Sequence, residues 1–250
     1  MQRYFIDSSQ INNTVISITG DDAHHISRVM RMGVNEEVIC CNEKGKSYLC
    51  VIEAIEGNVI VLNIKEELSE DKELPVHVTI AQGMPKADKL EYIVQKGTEL
   101  GANGFLPFFA SRSIVKWDEK KGRKKQERLR KIAKEAAEQS HRQTVPVVNE
   151  PASFNKMLSF ANEADVKIVA YEEDAKIGES SNLANALKDV NKDDKIVLVV
   201  GPEGGLTEDE VAQLKSEGFI TCAFGPRILR TETAPLYFLS AVSYQIELLR

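Results

Sequence analysis

The chain changes rhythm once, near Leu74, and that change limits its fold more than any other feature. Before it, short β-rich runs alternate with turns: Arg3 to Ile6, Val15 to Thr19, Glu37 to Cys41, Tyr48 to Ile55 and Val59 to Ile64, with Gly45 and Gly57-Asn58 as turn signals. These predict a small, mostly antiparallel barrel with one helical insert, Asp22 to Met32, which spaces His24, Arg28 and Arg31 along one face. After it, strands at Val76 to Gln82, Gly104 to Phe109, Val145 to Val148, Val166 to Tyr171, Ile196 to Val200 and Phe219 to Phe224 alternate with helices. The helices fall at Asp88 to Leu100, Gln126 to Ser140, Ser153 to Asn162, Asn182 to Val190, Glu208 to Glu217 and Leu236 to Leu249. Such alternation argues for an α/β fold with a mostly parallel sheet covered on both faces. Two domains are expected, 1–72 and 73–250, with the polar stretch Ser69 to Glu73 as linker; 250 residues, 42% of them apolar, suffice for two cores.

Two of these strands end in unusual loops. Ile196 to Val200 runs into Gly201-Pro202-Glu203-Gly204-Gly205, and Phe219 to Phe224 runs into Gly225-Pro226-Arg227-Ile228-Leu229-Arg230-Thr231-Glu232-Thr233-Ala234. Glycines let a backbone approach a ligand with no Cβ in the way. The first loop is nevertheless no phosphate cradle: it has neither GxxxxGK[ST] nor GxGxxG, and Glu203 would repel an anion. A neutral or cationic ligand fits it better, although a plain tight turn between strand and helix has the same spelling. Thr207 and Glu210 predict a capping box for the next helix, with Gly218 at its C-terminal end.

A net charge of −6 argues by itself against a polyanionic partner, but the charge is unevenly spread. Lys120 to Lys134 holds nine basic residues, among them Lys124, Lys125 and Arg128, against one acid, Glu127. The run carries +8 and leaves −14 on the remainder, which predicts a basic face on an acidic body. The four cysteines show no CxxC or Cys/His ligand spacing, so free thiols in a reducing cytoplasm are expected, with no metal. Met1 to Asp7 lacks the regions of a signal peptide, and no apolar run reaches membrane-spanning length; a cytoplasmic location away from the membrane is expected.

Taken together, the two loops resemble those of the RsmE family of 16S ribosomal RNA uracil-N3 methyltransferases. The resemblance extends along the chain: His24-His25-Ile26-Ser27-Arg28-Val29-Met30-Arg31 is similar to the family's HHxxxVLR, Lys96 to Gly101 to its KGTELG, and Glu135 to Ser140 to its EAAEQS. Three positions depart from it. Met30 and Phe224 stand where leucine is usual, and His141 stands where glycine commonly follows EAAEQS.

The resemblance implies a SPOUT-type α/β fold with a C-terminal trefoil knot, which ordinary topology rules would exclude, preceded by a PUA-like RNA-binding β-barrel domain. It implies S-adenosyl-L-methionine as cofactor, held by Val200, Gly201, Pro202, Glu203, Gly204, Gly205, Phe224, Gly225, Ile228, Leu229, Arg230 and Ala234, with Tyr171-Glu172 as a further wall. It also implies methylation of N3 of uridine 1498 in 16S rRNA of the small ribosomal subunit, and a homodimer built on the final helix, whose apolar residues on more than one face have burial within their own domain as the alternative. Contacts to RNA are expected from Arg28, Arg31, Arg112, Lys124, Lys125 and Arg128, with Glu99, Glu138 and Gln139 near the RNA side. For the chemical step, Arg230 is the candidate to stabilise the uracil anion and Glu232 the candidate base. Both have structural alternatives: an Arg230–Glu232 clamp, or Glu232 as a helix-end charge. Two rival functions share much of this pattern: a SPOUT enzyme acting on another RNA position such as a ribose 2′-O, and a non-catalytic RNA-binding assembly factor.

Overall fold

The computed structural model describes residues 1–69, 71–115, 117, 119–176, 178–179 and 181–249, with the side chains of 119–121 and 175–176 outside that description. Glu70 of the expected linker and the side chains of Lys120 and Lys121 therefore lie outside the described residues. The chain divides into two compact units: Met1–Glu73 with Ala137–Val145, and Leu74–Ala136 with Pro146–Arg250. A boundary drawn along the sequence at 72/73 does not assign 137–145 to the first unit.

In the first unit the strands are β1 (Gln2–Ile6), β2 (Ile11–Asn12), β3 (Val15–Ile18), β4 (Glu37–Asn42), β5 (Ser47–Glu56) and β6 (Val59–Leu68). They form one sheet in the order β1-β4-β5-β6-β3-β2, antiparallel except where β1 runs parallel to β4, a half-barrel with β1 and β2 at its edges. Register shifts between β5 and β6 at Leu49/Cys50 and Ile52/Ala54 bend the long hairpin. Alternate residues such as Tyr4, Ile16, Ile52, Ile60 and Leu62 fill its core.

The helical insert differs from expectation. Helix α1 covers only Gly20–His24 and then widens into a π turn over His25–Val29, where Met30 N–H donates to His25 O at 2.8 Å and Met32 N–H to Ile26 O at 3.0 Å. Arg31 takes a left-handed backbone (φ 55°), so it leaves the helical face on which His24 and Arg28 were expected to align it. Arg28 and Arg31 are both exposed. His25 is tied inward instead, its Nδ1 3.0 Å from Tyr4 Oη.

One ion pair is sunk in this unit. Arg142, 2% exposed, is bound to Glu73 through Nε at 3.0 Å and again through Nη2, and Glu73 also accepts the N–H groups of Gln143 (2.8 Å) and Thr144 (3.1 Å). Arg3 donates to the carbonyl of Arg142 at 3.1 Å.

The second unit contains β7 (His77–Gly83), α2 (Lys89–Glu99), β8 (Gly104–Phe109), α3 (Glu119–Gln139), β9 (Val147–Val148), β10 (Ala152–Ser153), α4 (Phe154–Ala161), β11 (Val166–Ala170), α5 (Glu172–Lys176), α6 (Asn182–Lys188), β12 (Lys195–Val200), α7 (Glu208–Ser216), β13 (Ile220–Cys222) and α8 (Ala234–Ser243). The sheet is parallel throughout, in the order β10-β8-β7-β12-β11-β13 with β9 also on β8. β7 and β12 lie at its centre, and β12 is apolar from Ile196 to Val200, as a strand covered on both faces must be. The KGTELG segment is explained by packing. A Cβ at Gly97 would lie 2.7 Å from the Phe105 ring, so glycine lets α2 sit close on β8, and Gly101 ends the helix at φ 92°. Glu99 is engaged by Lys96 at 2.8 Å.

Candidate active site

In open parallel sheets ligands bind outside the carboxyl ends of the strands. The carboxyl ends of β11, β12 and β13 surround a cleft of about 400 Å³. The Thr207–Glu210 capping box forms as expected, with Glu210 N–H on Thr207 Oγ1 at 3.2 Å and Thr207 N–H on Glu210 Oε2 at 2.9 Å. The remaining Glu210 oxygen accepts Ser111 N–H at 2.8 Å, so the start of α7 and the first loop beside it are held from two sides.

The second loop returns across the sheet to meet the first. Thr231 donates to Gly201 O at 2.7 Å, and fully buried Gln82, at the end of β7, donates to Thr231 Oγ1 at 2.8 Å. Gly83 must be glycine here, because a Cβ would lie 2.6 Å from the Pro202 ring and 2.7 Å from its nitrogen. Gly201 is equally confined: a Cβ would meet the backbone of Gly205 and Leu206 at 3.0–3.1 Å. Backbone packing, more than side chains, shapes this wall.

Most expected cofactor residues line the cleft: Tyr171, Val200, Gly201, Pro202, Glu203 and Gly205 on one side, Phe224, Ile228, Leu229, Arg230 and Ala234 on the other. Gly204 and Gly225 do not. The open side of Gly204 faces Arg112, whose Cβ would be 3.2 Å from an added Cβ and whose Nη1 donates to Gly204 O at 2.9 Å. Gly225 serves a turn at φ 79° beside Tyr237. Glu172 lines the cleft beside Tyr171, as Arg227 and Thr231 of the second loop do; Lys89 and Leu206 are lining residues that sequence reasoning missed. Leu206 directly follows the glycine loop, whereas Lys89 is brought there by long-range folding and no local pattern marks it.

Charge in the cleft centres on Lys89, the first residue of α2. Its ammonium lies 3.1 Å from Glu203 Oε1 and 3.0 Å from Glu232 Oε2, and these two carboxylates raise its pKa. Burial opposes ionisation of Glu203, but the Lys86 N–H at 3.0 Å and the Lys89 ammonium hold its carboxyl below the usual range. Arg230 is only a marginal partner of Glu232, at 4.0 Å, and 83% of its side chain is exposed at the cleft mouth. The expected Arg230–Glu232 clamp is thus the weaker pairing. The Glu232 carboxylate faces Lys89, and Thr233, at the N-cap of α8, makes no side-chain cap.

On the basic helix, Lys124, Lys125 and Arg128 are all exposed, with Lys125 5.1 Å from the Trp117 ring centre and Arg128 paired to Glu91 at 2.7 Å. Among the described residues no group of three or more His, Cys, Asp or Glu side chains has the arrangement of a metal site.

A parallel sheet with a two-loop cleft at its carboxyl edge is the setting in which the comparisons fall. The model of an RNA methyltransferase domain matches residues 72–243, and that of an RNA methyltransferase PUA domain matches residues 18–65. Ribosomal RNA small subunit methyltransferase E of Bacillus subtilis is 51% identical over 253 residues, covering 100% of this chain and 99% of its own length. The chain belongs to the ribosomal RNA small subunit methyltransferase E family. The Synechocystis member of the family is 31% identical, with 98% of this chain and 78% of its own covered. The Neisseria gonorrhoeae member, solved bound to S-adenosyl methionine, superposes with a TM-score of 0.82 at 29% identity and 97% coverage of both chains.

Proposed function

We propose that this protein transfers the methyl group of S-adenosylmethionine to N3 of a uridine in small-subunit ribosomal RNA, uridine 1498 of the 16S molecule. The observation that carries the reading is the two-loop cleft, in a chain that aligns end to end with a ribosomal RNA small subunit methyltransferase E.

The cleft suits the cofactor chemically. Val200, Leu206, Phe224, Ile228, Leu229 and Ala234 offer apolar surface to an adenosine, the glycine loop offers close backbone, and Glu172 and Glu203 line the same cleft as Lys89, Arg227 and Arg230. When bound, S-adenosylmethionine supplies a methyl group on a positively charged sulfonium. N3 of uracil is a weakly acidic imide, so the protein must accept a proton and stabilise negative charge spread onto O2 and O4. Arg230, at the mouth and largely unengaged by Glu232, is free to swing its guanidinium to a uracil carbonyl. Glu232 sits inside the same loop as the candidate proton acceptor.

The return of the second loop from β13 to Gly201 and Gln82 supports the trefoil knot of SPOUT enzymes. α8 and the π turn after it leave Tyr237, Tyr244, Leu248 and Leu249 exposed, an apolar face that supports a homodimer. Exposed cations occur in both units, Arg28 and Arg31 in one, Arg112, Lys124, Lys125 and Arg128 in the other, and these support RNA phosphate contacts in the cytoplasm.

Mass spectrometry of 16S RNA from a strain lacking the gene, with and without complementation, tests the reading. Loss of the N3-methyl at uridine 1498 and its return on complementation are expected; a methyl that persists without the gene, or that disappears from a ribose, overturns it.

A further inference from the structure

Glu203 belongs to the first loop of the cleft, Glu232 to the second, and the only described side chain seen to bridge both is that of Lys89, from a third element. Two carboxylates within 3.1 Å of one nitrogen lie close enough to repel each other strongly if that nitrogen is removed. The groups facing them are Lys89 itself, the Lys86 N–H on Glu203, and Arg230, 4.0 Å from Glu232 Oε1. Arg230 is too exposed to replace the ammonium. The ammonium lies within ion-pair distance of one carboxylate on each loop.

We propose that Lys89 is a positioning residue of the methyl-transfer site: by neutralising Glu203 and Glu232 together it holds the two loops at the spacing that admits S-adenosylmethionine, an inference that rests on the cofactor reading above. Lys89 acts here on loop spacing, not on ligand charge. A residue that only offset charge would weaken binding of the cationic sulfonium, and its removal would tighten it. A residue that sets loop spacing must, when lost, weaken the charged cofactor and its neutral product alike.

Calorimetric titration of the full-length protein with S-adenosylmethionine and with S-adenosylhomocysteine, whose sulfur is uncharged, separates the two. Lys89→Met is expected to weaken both ligands roughly tenfold at about pH 7.5, the scale of coupling among charges in one network. Lys89→Arg should keep most of the affinity, and adding Glu203→Gln to Lys89→Met should restore much of it by removing the repulsion, outcomes that a general loss of folding would not produce. Unchanged affinities in Lys89→Met, tighter S-adenosylmethionine with unchanged S-adenosylhomocysteine, or a double variant no better than the single one would overturn the role of Lys89. Wild-type protein that binds neither ligand would instead overturn the cofactor reading, and this role with it.

Discussion

Thr231 donates its hydroxyl to the carbonyl of Gly201 across 2.7 Å while the same oxygen accepts a 2.8 Å hydrogen bond from Gln82. One atom thus fastens the second loop to the first and to the end of the central strand β7. Only a small hydroxyl side chain can both give and take a bond there.

Replacing Thr231 with valine keeps the volume and removes both bonds, leaving the buried Gln82 amide with fewer partners. A stability loss of about 1–2 kcal/mol is expected, together with weaker S-adenosylmethionine binding, whereas Thr231→Ser should keep both. Denaturant titration and calorimetry on the two variants check this; a valine variant with wild-type cofactor affinity would show that the loop junction does not govern the cleft.

His141 follows the end of α3 with φ 59°, a left-handed conformation that costs a side chain energy and glycine almost none. The position needs a backbone conformation that glycine adopts freely, whatever the side chain does. His141→Gly should stabilise the protein by roughly 1 kcal/mol, the strain relieved less the extra freedom of the unfolded glycine. The melting temperature should rise accordingly; a fall would mean that the contacts of the imidazole outweigh the strain.

Local signals were readable in the sequence, and tertiary ones were not. The Thr207–Glu210 box, the carboxyl end of β12 at Val200 and the left-handed Gly218 are all set by residues within a few positions of one another, whereas β13 ends at Cys222, two residues before the expected Phe224. The first turns of α3 escaped because Glu119 to Lys125 contains no apolar residue, so the helical period becomes visible only from Gln126 onward. α5 escaped for a similar reason, being one short polar segment. Within the site, glycine-rich spelling marked a close approach without saying of what: Gly204 turns out to face Arg112, while the tightest backbone contact falls on Gly83, from another strand. Lys89 lies more than a hundred residues from either carboxylate it joins, beyond the reach of any motif.

The buried Glu73–Arg142 pair predicts acid sensitivity. Burial by itself would raise the Glu73 carboxyl, but Arg142 and the N–H groups of Gln143 and Thr144 hold it below the usual glutamate range. A depressed folded-state pKa means that its stabilisation is fully present above the ordinary glutamate value and is lost as pH falls through the folded value. Glu73→Gln strands a buried guanidinium and should cost about 3 kcal/mol near neutrality. That deficit should shrink toward acid, where the wild-type carboxyl itself becomes protonated. Denaturation curves at about pH 7 and about pH 4 check it; a deficit independent of pH would assign the loss to packing.

RNA binding should weaken as salt rises, by roughly 0.7 in log–log slope for each single-stranded phosphate neutralised. Lys124→Glu tests the helix more cleanly than changes at its neighbours, since Arg128 is engaged with Glu91 and Lys125 lies over Trp117. Combined with Arg28→Glu in the other unit, it should lower both affinity and slope in filter-binding assays. An unaltered slope would make these cations ordinary solvated charges.

Arg230 offers the sharpest test of the chemical step, because its side chain is 83% exposed and contributes little to packing. If it stabilises the uracil anion once RNA is bound, Arg230→Ala should slow methyl transfer about a hundredfold, the scale of losing one donor to developing negative charge, while leaving the fold intact. Arg230→Lys should recover only part of the rate, since an ammonium keeps the charge but lacks the planar fork. Glu232 predicts a different signature: Glu232→Gln should slow single-turnover transfer and remove an acid limb from its pH profile if the carboxylate takes the proton. The same substitution also takes one anion from Lys89, so cofactor affinity must be measured beside the rate to separate proton transfer from loop positioning. Single-turnover rates across pH, at saturating RNA and S-adenosylmethionine, decide between these roles, and near wild-type rates in Arg230→Ala would remove that arginine from the mechanism.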